Sequence, residues 1–385
     1  MDTIYLDYAA TTPMRAEVRE AMAPYLAEHF GNPSSVHAFG RGAAAALSEA
    51  RASVAETLGA RPDEILFVRG GTESDNLALQ GRVRWIRAQG RTPHLAVSAV
   101  EHSAVLETAT AVTERGAGVL TVLPVRRTGH VDPDALTALP AGPDTLISVM
   151  WVNNETGLVL PVPDMARRAK ENGTLLHTDA VQGAGRLRLR VDEVPVDLLT
   201  LTGHKIYGPK GTGILFVRRG VELRPLLHGG GQERGLRPGT EDVAGAVGMA
   251  TALRLAVAEQ EEEARRLSRL RDTLEEELLR RLPHAEVVAR EGPRAPHIAA
   301  VRIRGVPRER LIMALDLKGV AVSGGSACHS GASRPSHVMA ALYGPDDDAA
   351  LVRFSLGRAT RTEEVERAVD ITARVASDLG EGGAG

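Results

Sequence analysis

The sequence predicts an α/β protein: a mostly parallel, doubly wound sheet followed by a smaller α+β domain at the carboxyl end. Three observations predict it. Short apolar runs alternate with helix-periodic stretches from residue 60 to 218, the pattern of strand–helix–strand units. A long helical stretch, 243–282, leads away from them. Beyond it lie strands near 297–304, 320–323 and 351–356, with helices between. The expected divisions are an N-terminal segment, 1–15, packing with the small domain, a large domain over 16–260, the small domain over 261–378, and a disordered tail over 379–385.

Composition narrows the function classes. A net charge of −3 without a basic run argues against direct nucleic-acid binding. No apolar run approaches a membrane span. The opening MDTIYLDYAATT is acidic and lacks the basic start of a signal peptide. One cysteine, Cys328, excludes an internal disulfide and any multi-cysteine metal cluster, so no metal site is expected and the cytoplasm is the expected setting.

In chain order, residues 1–40 read as an irregular entry with one helix, 17–29, and a GNPSS turn at 31–35 that contains Asn32. A helix over 41–59 follows. The strand 65–68 then runs into Gly70, Gly71 and Thr72 before a helix, an order in which free backbone N–H groups face an anion. Thr72 with Asp75 equally fits a capping box. His102 follows the strand 94–99, and Asn153, Asn154 and Glu155 follow the strand 145–152. Asp179 and Gln182 follow the strand 174–178. An acid at that strand end suits either a helix N-cap or a protonated ring nitrogen. The fold gathers these loops at one edge of one sheet, where open α/β proteins bind ligands.

Two reactive groups stand out. Only four of the 46 basic residues are lysines, and Lys205 alone follows a buried strand, in an exposed loop beside Thr202 and His204. A lysine so placed suits Schiff-base chemistry. Cys328 sits in a Gly/Ser-rich loop, SGGSACHSGAS, unlike the usual buried thiol. Arg353, in a strand-like stretch, suits a bidentate grip on a carboxylate or a structural salt bridge.

With YLDYAATTP, GNPSSVHAFG, GGTESDN, VEHSAVLE, WVNNETG, HTDAVQ, GHKIYGPKG, RPGTED, SGGSAC and RFSLGR in order over residues 5–358, the chain resembles the NifS/IscS-like cysteine desulfurases. These are class V of the fold-type I pyridoxal-phosphate enzymes. The resemblance implies a homodimer binding pyridoxal 5'-phosphate and converting L-cysteine to L-alanine. It also implies sulfur delivery to acceptor proteins, such as an iron–sulfur scaffold or a thiolation carrier. It places the cofactor on Lys205, with Asp179 at the ring nitrogen, Gln182 at the ring oxygen and His102 stacked on the ring. Gly71, Thr72, Thr202 and His204 would hold the phosphate, joined by Thr240 of the second subunit. Asn154 and Arg353 would bind the substrate carboxylate, with Asn32 contributing, and Cys328 would take the sulfur. Thr202-Gly203 replaces the family's usual pair of serines before the histidine. His102 or His329 would help form the Cys328 thiolate. A class V aminotransferase, a selenocysteine lyase and a non-enzymatic sulfur scaffold are the alternatives, separated by 2-oxo-acid formation, by substrate competition and by absence of bound cofactor.

Overall fold

Apolar, β-branched runs bounded by turn residues form the strands of the computed structural model, which describes residues 3–381 apart from 130, 132–133 and 326–335. In chain order the strands are β1 (Ile4–Tyr5), β2 (Ile65–Val68), β3 (His94–Ser98), β4 (Val119–Leu123), β5 (Thr145–Ser148) and β6 (Leu175–Asp179). They continue with β7 (Leu198–Thr202), β8 (Gly213–Val217), β9 (Ala285–Val287), β10 (Ile298–Ile303), β11 (Val320–Ala321) and β12 (Ala350–Ser355).

Seven of these form one sheet in the order β2-β8-β7-β6-β5-β3-β4. β4, β3, β5, β6 and β7 run parallel, while β8 is antiparallel to both β7 and β2. The reversal has a simple cause. Only residues 203–212 join β7 to β8, too short for a parallel crossover. Strand order turns back between β3 and β5, which puts a crevice at their carboxyl ends. Phe216, Leu66, Ile147 and Leu199 are buried in the cores on the two faces of this sheet.

A separate core surrounds the β12-β10-β9 sheet and includes Leu267, Leu274, Leu278, Phe354 and Val369. Ile4 and Leu6 belong to this core, and β1 pairs with β11. A few residues on, the same segment turns to the large sheet. There Thr12 donates through its backbone and its hydroxyl to the His204 carbonyl, each at 2.9 Å.

Several expectations need correcting. The helix expected over 17–29 is two, Ala16–Met22 and Pro24–Ala27, because Pro24 has no N–H to continue the first. The single helix 243–282 is also two, Val243–Ala258 and Gln260–Arg281, meeting at Glu259. The first half buries Met249 and Leu253 in the large core, whereas the second buries Leu267 and Leu274 in the small one. One straight axis cannot serve both. β5 stops at Ser148 rather than 152, because the Met150 N–H turns to the Glu101 carboxylate at 2.7 Å. The final helix, Thr362–Glu381, enters the tail expected to be disordered from 379, with Leu379 packed on the small core.

Candidate active site

The carboxyl ends of β3, β5, β6 and β7 open into a cavity of about 420 Å³. Gly71, Thr72, His102, Asn154, Asp179, Gln182, Thr202, His204, Lys205 and Arg353 all line it. Two expected residues stand elsewhere, and a third is not described. Asn32 is exposed, its side chain closing a turn by accepting from the Ser34 N–H at 2.9 Å. Thr240 is exposed and outside the cavity's lining. Cys328, with its neighbour His329, lies outside the described residues.

The anion end begins at Gly70, whose φ of 106° suits glycine and aims the helix Gly71–Ala88 at the cavity. No side chain caps this helix. The capping box expected from Thr72 and Asp75 does not form, because both lie within the helix and Asp75 is buried. The first-turn N–H groups therefore face a cavity with hydroxyls and a histidine alongside, a donor set that fits a phosphate. The Thr202 hydroxyl donates to the Thr212 carbonyl at 3.1 Å, so it must rotate to serve an anion. Gly203 is dictated by crowding, since a Cβ there would meet the Pro209 carbonyl at 2.8 Å.

Lys205 is half-buried rather than exposed. Its turn, Gly203–Lys205, is followed by Tyr207 at φ 63°, a left-handed conformation rare for a bulky residue. Tyr207 is held there by the Thr12 hydroxyl, which accepts its N–H at 2.8 Å. The amine donates to the carbonyls of Ala9 at 2.6 Å and Ala10 at 2.7 Å. Burial pushes it down to about 8, with Arg353 adding to the effect. Burial likewise pushes His204 down to about 4, so its ring is neutral near pH 7, and its Nδ1 lies 3.2 Å from the Thr11 hydroxyl.

Asp179 ends β6, buried, and accepts the Val181 N–H at 2.9 Å. No helix begins there, so it caps a turn rather than a helix. Burial raises its pKa, which makes it a strong acceptor for a cationic N–H. Beneath it Asp75 is raised well above the carboxylate range by burial and by Asp179. Among the described residues its Oδ1 has no hydrogen-bond partner, and it lies 3.6 Å from Nε2 of His177, which burial pushes down to about 3. The imidazole is then neutral near pH 7, and burial favours the protonated carboxyl opposite it. Gln182 donates to the Ala9 carbonyl at 2.8 Å and accepts from His297 at 3.2 Å. His102 caps the helix Ser103–Val112 by accepting the Ala104 N–H on Nδ1, which leaves Nε2 for the cavity.

In the NNETG loop, Asn153 does the structural work, accepting the N–H groups of Glu155 and Thr156. That leaves Asn154 on the cavity wall. Opposite, Arg353 donates from Nη1 to the Asn154 carbonyl at 2.8 Å and pairs through Nη2 with Asp7 at 2.6 Å. The sequence reading missed Asp7 and the Ala9 and Ala10 carbonyls, which follow no recognised turn or strand-end pattern. It also missed Asp75 as a cavity residue. The buried helical stripe Asp75, Ala78, Leu79, Arg82 was the signal that could have found it.

The profile of the aminotransferase class-V family matches residues 4–368. The chain is 44% identical over 377 residues to the cysteine desulfurase IscS of Dictyoglomus turgidum, covering 98% of this chain and 95% of that one. It is 42% identical over 371 residues to the cysteine desulfurase NifS of Azotobacter vinelandii, covering 96% and 91%. A solved NifS-like protein superposes with a TM-score of 0.89 at 34% identity, covering 98% of this chain and all of that one (100%). A structure described as SspA in complex with cysteine gives a TM-score of 0.79 at 34% identity, covering 92% and 99%.

Proposed function

We propose, from the premise that this chain belongs to the aminotransferase class-V family and within it to the IscS/NifS cysteine desulfurases, that its cavity binds pyridoxal 5'-phosphate and L-cysteine and delivers sulfur to Cys328. One observation carries the reading: an amine depressed by burial, a buried carboxylate, an uncapped helix N-terminus and an arginine line a single cavity.

The residues present fit the cofactor by their donor chemistry. Gly71, Thr72, Thr202 and His204 would hold its phosphate and Asp179 its ring nitrogen, with Gln182 and His102 about the ring. The cofactor, when bound, supplies an aldehyde that joins amines and a protonated ring that accepts electrons from the amino acid's Cα. Lys205 would hold the aldehyde in the resting enzyme. Once freed, its amine, near 8, is close enough to neutrality to take a proton from Cα. Arg353 and Asn154 would fix the substrate carboxylate and so aim the Cα–H bond, with Asn32 contributing.

The thiolate of Cys328 then attacks the sulfur of L-cysteine. An S–S bond forms, the substrate's C–S bond breaks, the carbon is protonated to L-alanine, and a persulfide remains on Cys328 for an acceptor protein. Support comes from the flanks of 326–335. Ser323 and Gly325 line the cavity, and the Ser336 hydroxyl donates to Glu155, next to Asn154, at 2.6 Å.

A homodimer in the cytoplasm is part of this reading, with Thr240 reaching the phosphate of the second subunit. The exposed Leu26, Phe30, Val36 and Phe39 support a second copy covering this face, and the rings of Phe30 and Phe39 stack at 5.6 Å. The division at 15, 260 and 378 is likewise proposed, supported by the two separate cores. Assaying L-alanine and persulfide from L-cysteine tests the function. Cys328→Ser should keep the visible absorbance of the bound cofactor and form no persulfide; release of alanine and sulfide at the parent rate would remove Cys328 from the reaction.

A further inference from the structure

Arg353, to which the proposed function gives the substrate carboxylate, already meets an acid. Asp7 Oδ1 lies 2.6 Å from Nη2, in a pair whose side chains are 7% exposed on the arginine and 23% on the aspartate. The buried Nε of Arg353 has no partner among the described residues. Asp7, Lys205 and Arg353 line the same cavity, so the pair belongs to the ligand's wall.

The backbone under Asp7 is fixed. Asp7 bridges to Ser355, and the Ser355 N–H donates to the Leu6 carbonyl at 2.7 Å. The Tyr5 hydroxyl donates to the Asp7 carbonyl at 3.0 Å. The partly exposed carboxylate can swing about its own side-chain bonds while the segment stays put.

We propose that Asp7 sets the affinity of the site for amino acids, standing on Arg353 in place of the substrate carboxylate and yielding the guanidinium whenever an amino acid binds. The inference rests on the reading of Arg353 above. Its physical basis is charge. A guanidinium whose charge is balanced by an internal acid attracts a second carboxylate less, and the two acids repel, so affinity is lower than for an unpaired arginine. Substrate and product carry the same carboxylate. An arginine without a competitor would hold L-alanine as firmly as L-cysteine, whereas Asp7 gives the guanidinium an acceptor as alanine leaves.

The test is calorimetric titration of the holoenzyme with L-alanine and with ethylamine, which keeps the amine and lacks the carboxylate. Asp7→Asn should bind L-alanine about 10-fold more tightly, leave ethylamine unchanged and lower KM for L-cysteine. Asp7→Glu, which keeps the charge, should retain the parent's ratio of alanine to ethylamine affinity, and circular dichroism checks that both variants are folded. Unchanged or weaker alanine binding in Asp7→Asn, or equal shifts for both ligands, would overturn the proposal. Arg353→Ala separates the underlying reading: if it bound L-alanine as the parent does, Arg353 would not be the carboxylate site, whatever Asp7 did.

Discussion

The floor of the cavity is made by neighbouring strands of one sheet, whereas its far wall is made where segments from the two ends of the chain meet. The floor carries groups whose protonation burial has displaced, Lys205, Asp179, Asp75 and His204, with Glu101 buried behind them. The wall carries a closed ion pair, Arg353 with Asp7. Proton movement belongs to the first and recognition of the carboxylate to the second. The two are coupled by charge, since Arg353 lowers the Lys205 amine and Asp7 raises it.

Substitutions can break that division. Lys205→Ala should have the largest effect, removing the visible band of the bound cofactor and lowering activity by at least about 10³-fold, as absorbance and alanine release would report. Arg353→Ala should keep the band and lower kcat/KM by about 10²-fold or more, the usual result of truncating one partner of a buried charge pair. Loss of the band in Arg353→Ala would mean that wall and floor are not separable.

The floor should also leave a mark on the stability of the cofactor-free protein. Burial raises Glu101 from 4.5 to about 8, with the nearby Asp179 adding to it, against hydrogen bonds from Ser98 and the Met150 N–H. Its folded value lies above its unfolded one, so its contribution is full below pH 4.5 and lost as pH rises toward 8. The loss should be on the order of 5 kcal/mol at most. Glu101→Gln should flatten the fall in Tm across that window. Lys205 runs the other way. Its value falls from 10.5 to about 8, so the unfolded chain binds more protons between these limits and stability should rise with pH there. That rise, about 3 kcal/mol at most, should vanish in Lys205→Met, and its persistence would place the titrating group elsewhere.

Legibility in the sequence follows the same line. Thr72, His102, Asn154, Asp179 and Lys205 each follow an apolar run that can only be a strand, so their shared edge is implied by the alternation itself. Asp7 follows a two-residue strand and pairs with a residue 346 positions away, which no local pattern reports. Arg353 was legible as a carboxylate binder or a salt-bridge former, and the structure pairs it with Asp7. Asp75 was misread because the capping motif was taken before the buried stripe it sits on. The kink at Glu259 was hidden because both helices share one unbroken helical composition, and only the existence of two cores separates them. Asn32 and Thr240 stand outside the cavity, and their expected roles rest on the resemblance together with a second subunit.

The clasp of residues 4–12 also bears on synthesis. Ile4 and Leu6 are made before the large sheet, yet their neighbours in β11 and β12, within residues 320–355, are made after it. The sheet can condense while the chain grows, but the carbonyls that receive Lys205 and the acid that meets Arg353 find their seats only once β11 and β12 have been made. The growing polypeptide thus cannot complete its reactive pocket from the sheet alone.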